Sequence, residues 1–159
     1  MNHATLLAKL RVERATFDSL LDQIDPAHML TVGAEGAWSV RDIVVHICWY
    51  DRQVAEVVAQ RTLDASPMWN LSVDERNAVM IDLSRDKTLG EVLAEARATF
   101  QQMLEEVSRL SEEDLQDPQR MGMPPEWIPG QAIAFNTYRH YRQHIPALRA
   151  WSERHPCDA

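Results

Sequence analysis

Lysine is almost missing from this chain. Only Lys9 and Lys87 occur, the remaining positive charge is arginine, and the formal net charge is −8. No basic cluster is available to follow a phosphate backbone, which argues against nucleic-acid binding. Cysteine is equally sparse: two residues, Cys48 and Cys157, with no motif spacing, make no disulfide framework. No apolar run reaches the ~20 residues of a membrane span. The first residues, Met1-Asn2-His3-Ala4-Thr5, carry no basic segment followed by an apolar one, so a cytoplasmic location is expected. Strand-like alternation is nearly absent. Glycine-rich phosphate loops, a dinucleotide fingerprint and a Ser-His-Asp arrangement are missing too.

What is present is helical periodicity. With 159 residues the chain is one domain's worth, read as a single unit over 1–159 with a flexible tail from about 154. Leu6, Leu10, Phe17, Leu20, Leu21 and Ile24 recur at threes and fours, up to the Asp25-Pro26 stop. Ser39 followed by Asp42 is a capping box that starts a second helix, whose inward stripe is Ile43, His46, Ile47, Tyr50, Val54, Val57 and Val58. A connector from Thr62 to Lys87 holds a short helix starting near Ser72. Thr88 with Glu91 opens the third long helix, which runs to about Leu110. A Pro-rich stretch from Pro118 to Pro129 reads as a functional or covering loop. A fourth helix is expected from Gly130 to Glu153, with Pro146 kinking it or resetting its last turns. Four such helices with long connectors predict an all-α four-helix bundle.

Six histidines are present. His3, His28 and His155 lie at the periphery. His140 and His144 are four apart, so both imidazoles share one helix face. His46 lies on the inward stripe of the second helix. Imidazole is the commonest neutral metal ligand, and three protein ligands leave a coordination position open for chemistry. A metal held there would lower the pKa of a bound thiol or water. The competing account is three core imidazoles satisfied by hydrogen bonds. Periodicity does not choose between them, because convergence depends on how the helices pack.

Other residues lie near the predicted ligand face. Tyr50 is four after His46 and Asn136 four before His140, so both are candidates for substrate binding, against core packing for Tyr50 and local backbone capping for Asn136. Arg139 and Arg142 flank the ligands and read first as solvated helix surface, or else as groups suited to a carboxylate. Asp42, Asp51, Glu75 and Glu126 are carboxylates within reach as a general base, none of them singled out. Cys48 reads as a small buried hydrophobe, Trp38 as a staple against Ile43, and Trp69 and Trp127 as packing or pocket-mouth residues.

Trp38-Ser39-Val40-Arg41-Asp42-Ile43-Val44-Val45-His46 resembles the second-helix signature of the DinB/YfiT-like superfamily, W-S-x-x-[DE]-hydrophobic-hydrophobic-x-His. His140-Tyr141-Arg142-Gln143-His144 resembles its last-helix signature, His-x-x-x-His. The order and spacing of elements agree over essentially the whole chain, with the ClbS/DfsB-type and uncharacterised DinB-like branches nearest. The resemblance implies an up-down-down-up four-helix bundle, often a homodimer. It implies a divalent metal, zinc or nickel, on His46, His140 and His144. It also implies thiol chemistry with bacillithiol or mycothiol, as in S-transferases, or hydrolysis of a toxic electrophile. Two functional classes follow: a metal-dependent enzyme acting on a small molecule, or a non-enzymatic bundle that binds one and protects against stress. A purely structural dimerising bundle is the third expectation. Pro146, two residues past His144, marks a place where the geometry of the site depends on the local helix path.

Overall fold

The first three long helices begin at side-chain caps. In the computed structural model, which describes residues 2–64 and 67–157, α1 spans His3–Asp22 behind an Asn2 cap. Helix α2 spans Val40–Gln60, and the Ser39–Asp42 capping box is fully formed. The short α3, Val73–Leu83, starts from a Ser72–Glu75 box, and α4, Leu89–Ser108, from a Thr88–Glu91 box. Each such cap satisfies orphan N–H groups of the first turn and contributes about 1 kcal/mol.

The fourth long helix departs from expectation. It is two helices, α5 Pro129–Asn136 and α6 Tyr138–Arg154. The break falls at Thr137, whose backbone is non-helical at φ −126°, ψ −106°. There the Thr137 hydroxyl donates to the Ile133 carbonyl at 2.6 Å and the Asn136 amide to the Ala132 carbonyl at 2.9 Å. Such back-bonding to the carbonyl one turn earlier destabilises and bends helices. Pro146 does not interrupt α6, which runs on to Arg154.

The four long elements α1, α2, α4 and α6 form an all-α bundle, with no strand among the described residues. Helix α2 packs chiefly on α4 and α1 chiefly on α6. Leu6, Leu10, Phe17, Ile43, Ile47, Met103, Ile133 and Tyr141 are fully buried in the shared core. Each such side chain contributes about 1.5–3 kcal/mol on leaving water. The C-terminal residues are tied down: the Asp25 N–H donates to the His155 carbonyl, and the Cys157 N–H to the Gln23 carbonyl, both at 3.0 Å. No helix among the described residues is long and apolar enough to cross a membrane.

A polar knot joins three helices inside this core. The Tyr141 hydroxyl donates to Asp51 at 2.6 Å, and Arg14 donates to Asp51 at 3.3 Å and to Asp18 at 2.8 Å. Asp51 is wholly buried and Arg14 nearly so. Burial pushes the Asp51 carboxyl up to about 7, while Tyr141 and Arg14 pull it down. Tyr141 follows His140 directly, so this knot also anchors the stretch of α6 that carries two of the histidines.

Candidate metal centre

The bundle brings His46, His140 and His144 together. His46 lies about two turns into α2 on its buried face, and the other two lie one turn apart on α6, after the break. One ligand atom from each falls within 4.8 Å of the others. His140 Nε2 is 2.8 Å from His46 Nε2 and 3.2 Å from His144 Nε2. All three rings are at least nine-tenths buried.

Three neutral imidazoles facing one point are poorly satisfied by each other. At best the central nitrogen's single proton or lone pair is shared between its two neighbours, and the third pair sets lone pair against lone pair or proton against proton. The Nδ1 atoms of His46 and His140 are buried without a hydrogen-bond partner. A cation at the shared point removes the conflict. Ligand bonds of about 2.0–2.1 Å in a tetrahedral site put nitrogens ~3.3 Å apart, close to the 3.2 Å spacing on α6. The donor set therefore fits a divalent metal, and with three nitrogens it leaves an open side.

That side faces a cavity of about 590 Å³. Tyr50, Asn136, Trp38 and Asn77 border it. The Tyr50 ring lies 4.9 Å from the His46 ring and 4.6 Å from the His140 ring. Tyr50 is thus beside the trio, as its spacing predicted; Asn136 also borders the cavity, but from the end of α5 across the Thr137 break rather than from the helix that carries His140. Arg139 is exposed and borders a neighbouring groove instead. Arg142 points away, pairing with Glu13 of α1. Cys48 faces α4 and contacts the Thr99 hydroxyl at 3.5 Å. Trp127 lines the neighbouring groove, and the side chain of Trp69 lies outside the described residues.

Two contributors were not legible as such. Trp38, expected as a staple, also walls the cavity, its ring 4.9 Å from that of His46 and 6.3 Å from that of His144. Glu35 is the carboxylate that reaches the trio: its Oε2 is 2.6 Å from His144 Nδ1. The four carboxylates weighed from sequence are placed elsewhere. Asp42 and Glu75 serve capping boxes, Asp51 is in the buried knot, and Glu126 borders the groove. Glu35 sits in the Gly33–Trp38 turn, where the N–H groups of Gly33, Ala34 and Glu35 all reach the Trp38 carbonyl. Gly36 adopts φ +58°, a left-handed conformation that glycine enters without strain. A Gly-x-x-Gly turn just before the Trp-Ser cap was the only local signal of this loop.

By accepting from Nδ1–H, Glu35 fixes the His144 tautomer and leaves its Nε2 lone pair aimed at the shared point. Replacing it with glutamine is expected to weaken metal binding about 10- to 100-fold. A competition titration against a fluorescent chelator measures this; wild-type affinity in Glu35→Gln would exclude the orienting role.

Burial, and then the neighbouring imidazoles, push His46 down to about 3 and His140 down to about 2. Both are therefore neutral and able to act as ligands at neutral pH. In metal-free protein the unfolded chain takes up these protons below its ordinary value of about 6.5, and the folded protein does not. Stability is expected to fall as pH drops from about 6.5 toward 3, by on the order of 1 kcal/mol per pH unit for each histidine. Urea unfolding of chelator-treated protein at descending pH reads this slope. It should be shallower in a His46→Asn, His140→Asn variant; an unchanged slope would count against the assignment.

Comparison with known proteins agrees with this architecture. Residues 9–146 match the DinB superfamily. The chain belongs to the DinB superfamily. Among solved structures, "Sibling Lethal Factor Precursor - DfsB" superposes with a TM-score of 0.79 at 18% identity, over 97% of this chain and 96% of that one. An uncharacterised protein from Escherichia coli UTI89 superposes with a TM-score of 0.77 at 20% identity, over 96% and 94%. At these identities the two DinB-like structures speak for the shared all-α fold. No curated protein matches the chain.

Proposed function

We propose that His46, His140 and His144 hold a divalent metal, zinc or nickel, and that the protein acts on an electrophilic small molecule by thiol transfer or hydrolysis. The observation that carries this reading is the convergence of three imidazole nitrogens on one point beside a cavity large enough for a substrate. The metal, when bound, supplies a lowered pKa for a thiol or water, making a nucleophile near neutral pH. Histidine ligands with no cysteine among them suit such an open site better than a closed structural one.

The chain's own residues prepare the site. Glu35 holds His144 in its working tautomer. Trp38 and Tyr50 wall the trio and limit water around the reacting groups. Asn136, on the cavity edge at the end of α5, presents its side-chain oxygen to a substrate while its amide bonds to Ala132. Family resemblance supports a low-molecular-weight thiol as cosubstrate and a homodimer as the working form.

The test is turnover of a panel of electrophiles with bacillithiol, mycothiol, glutathione or water alone. Activity that disappears with chelator and returns with zinc or nickel is expected. Tight binding of the same compounds with no turnover would replace the enzyme reading with a protective binding one.

A further inference from the structure

The histidine cavity has a neighbour. A concavity of about 720 Å³ lies between the second half of α2, helix α5 and the Pro-rich segment before it. Phe135 and Asn136 border both spaces, so they adjoin at the end of α5, next to the break at Thr137. The groove is mainly apolar. Three of its residues, Trp127, Ile128 and Phe135, are large hydrophobics that stay 43%, 41% and 60% exposed. The groove's volume is that of a small-molecule site.

Sequence order on α2 links the two spaces. His46, Tyr50, Val54 and Val57 follow at threes and fours, so one helix face leads from the trio into the groove. Gln53, on the groove side, is 5% exposed, and its Oε1 is buried with no hydrogen-bond partner. A bound amide or hydroxyl would supply the missing donor once that side chain turns toward it. The charged groups at the groove, Glu126 and Arg139, have opposite signs, which favours an uncharged guest.

We propose that this groove takes the uncharged aliphatic or aryl arm of the substrate while its reactive end lies at the three histidines. This rests on the metal-site reading above. It narrows the substrate class to elongated electrophiles with one apolar arm and excludes compact or polyanionic ones. The adjoining cavities favour one ligand spanning both over a second copy of the chain, which would cover the groove without reaching the trio.

The probes are acetohydroxamate, hexanohydroxamate and octanohydroxamate, which share a metal-chelating head and differ in arm length, titrated calorimetrically into zinc-loaded protein. Affinity should rise roughly three- to fourfold per added methylene until the groove is full. In Ala132→Trp, which fills the groove, the chain-length dependence should vanish while acetohydroxamate binds as before. Trp127→Ala, in the exposed segment, should flatten the dependence without repacking a helix, and serves if Ala132→Trp does not fold. Equal affinity across the series in wild type overturns the arm proposal and leaves the metal reading intact. Octanamide binding to chelator-treated protein, with no acetohydroxamate binding to zinc-loaded protein, supports the groove and overturns the metal reading. Concentration-dependent dimerisation that octanohydroxamate does not perturb, and that Ala132→Trp abolishes, assigns the groove to a second copy and overturns the proposal.

Discussion

Protein purified without a histidine tag is expected to carry close to one divalent metal per chain, and a His46→Ala, His140→Ala, His144→Ala variant is expected to carry none. The three Nε2 atoms have no better common partner: two Nδ1 atoms are already orphaned and the third is committed to Glu35. A ligand that binds only the folded state at 100 times its Kd adds about 2.7 kcal/mol of stability. For a chain of this size that is a rise of roughly 5–10 °C in Tm on adding zinc or nickel to chelated wild type. The triple variant should show no such rise. Elemental analysis and thermal unfolding read the two effects separately. Metal retained near one equivalent by the triple variant would refute the ligand assignment.

The second large effect concerns the buried knot. Asp51→Ala removes an acceptor of both Tyr141 and Arg14 and leaves Arg14, 3% exposed, with Asp18 as its remaining carboxylate partner. Breaking one partner of a buried ion pair costs about 3–5 kcal/mol. The lower end is expected here, because Asp18 still neutralises Arg14, and the Tm should fall by roughly 6–12 °C. Replacing the group as a unit, by Arg14→Met, Asp51→Leu and Tyr141→Phe together, should recover most of that loss, since desolvation is avoided with the pairing. Chemical unfolding of the single and triple variants measures both. A single variant as stable as wild type would show that the knot contributes nothing. Because Tyr141 adjoins His140, Asp51→Ala should also lower metal affinity, through the position of α6 rather than through the ligands.

Most of the scaffold was legible in the chain. Capping boxes at Ser39, Ser72 and Thr88 and the apolar periodicity of α1, α2 and α4 are local features, set by residues within a turn of one another. The split of the last helix was not legible in the same way. Pro146 is the conspicuous breaker, yet the interruption falls at Thr137, where a small polar side chain competes for a backbone carbonyl. Such back-bonding is available to any helical threonine, so sequence does not say which one uses it.

The site divides along the same line. The sequence by itself determined that His46 lies on an inward helix stripe, that His140 and His144 share one helix face a turn apart, and that Tyr50 lies at helical spacing from His46. Only the tertiary structure decided that the faces meet, with the three nitrogens 2.8–3.2 Å apart in successive pairs. It also decided that Glu35 is the carboxylate at the trio, and that Arg139 and Trp127 belong to the adjoining groove. Helical periodicity specifies a direction around one axis. The distance between two axes, and the loop that folds over their junction, depend on packing between residues about a hundred positions apart, which no local pattern encodes.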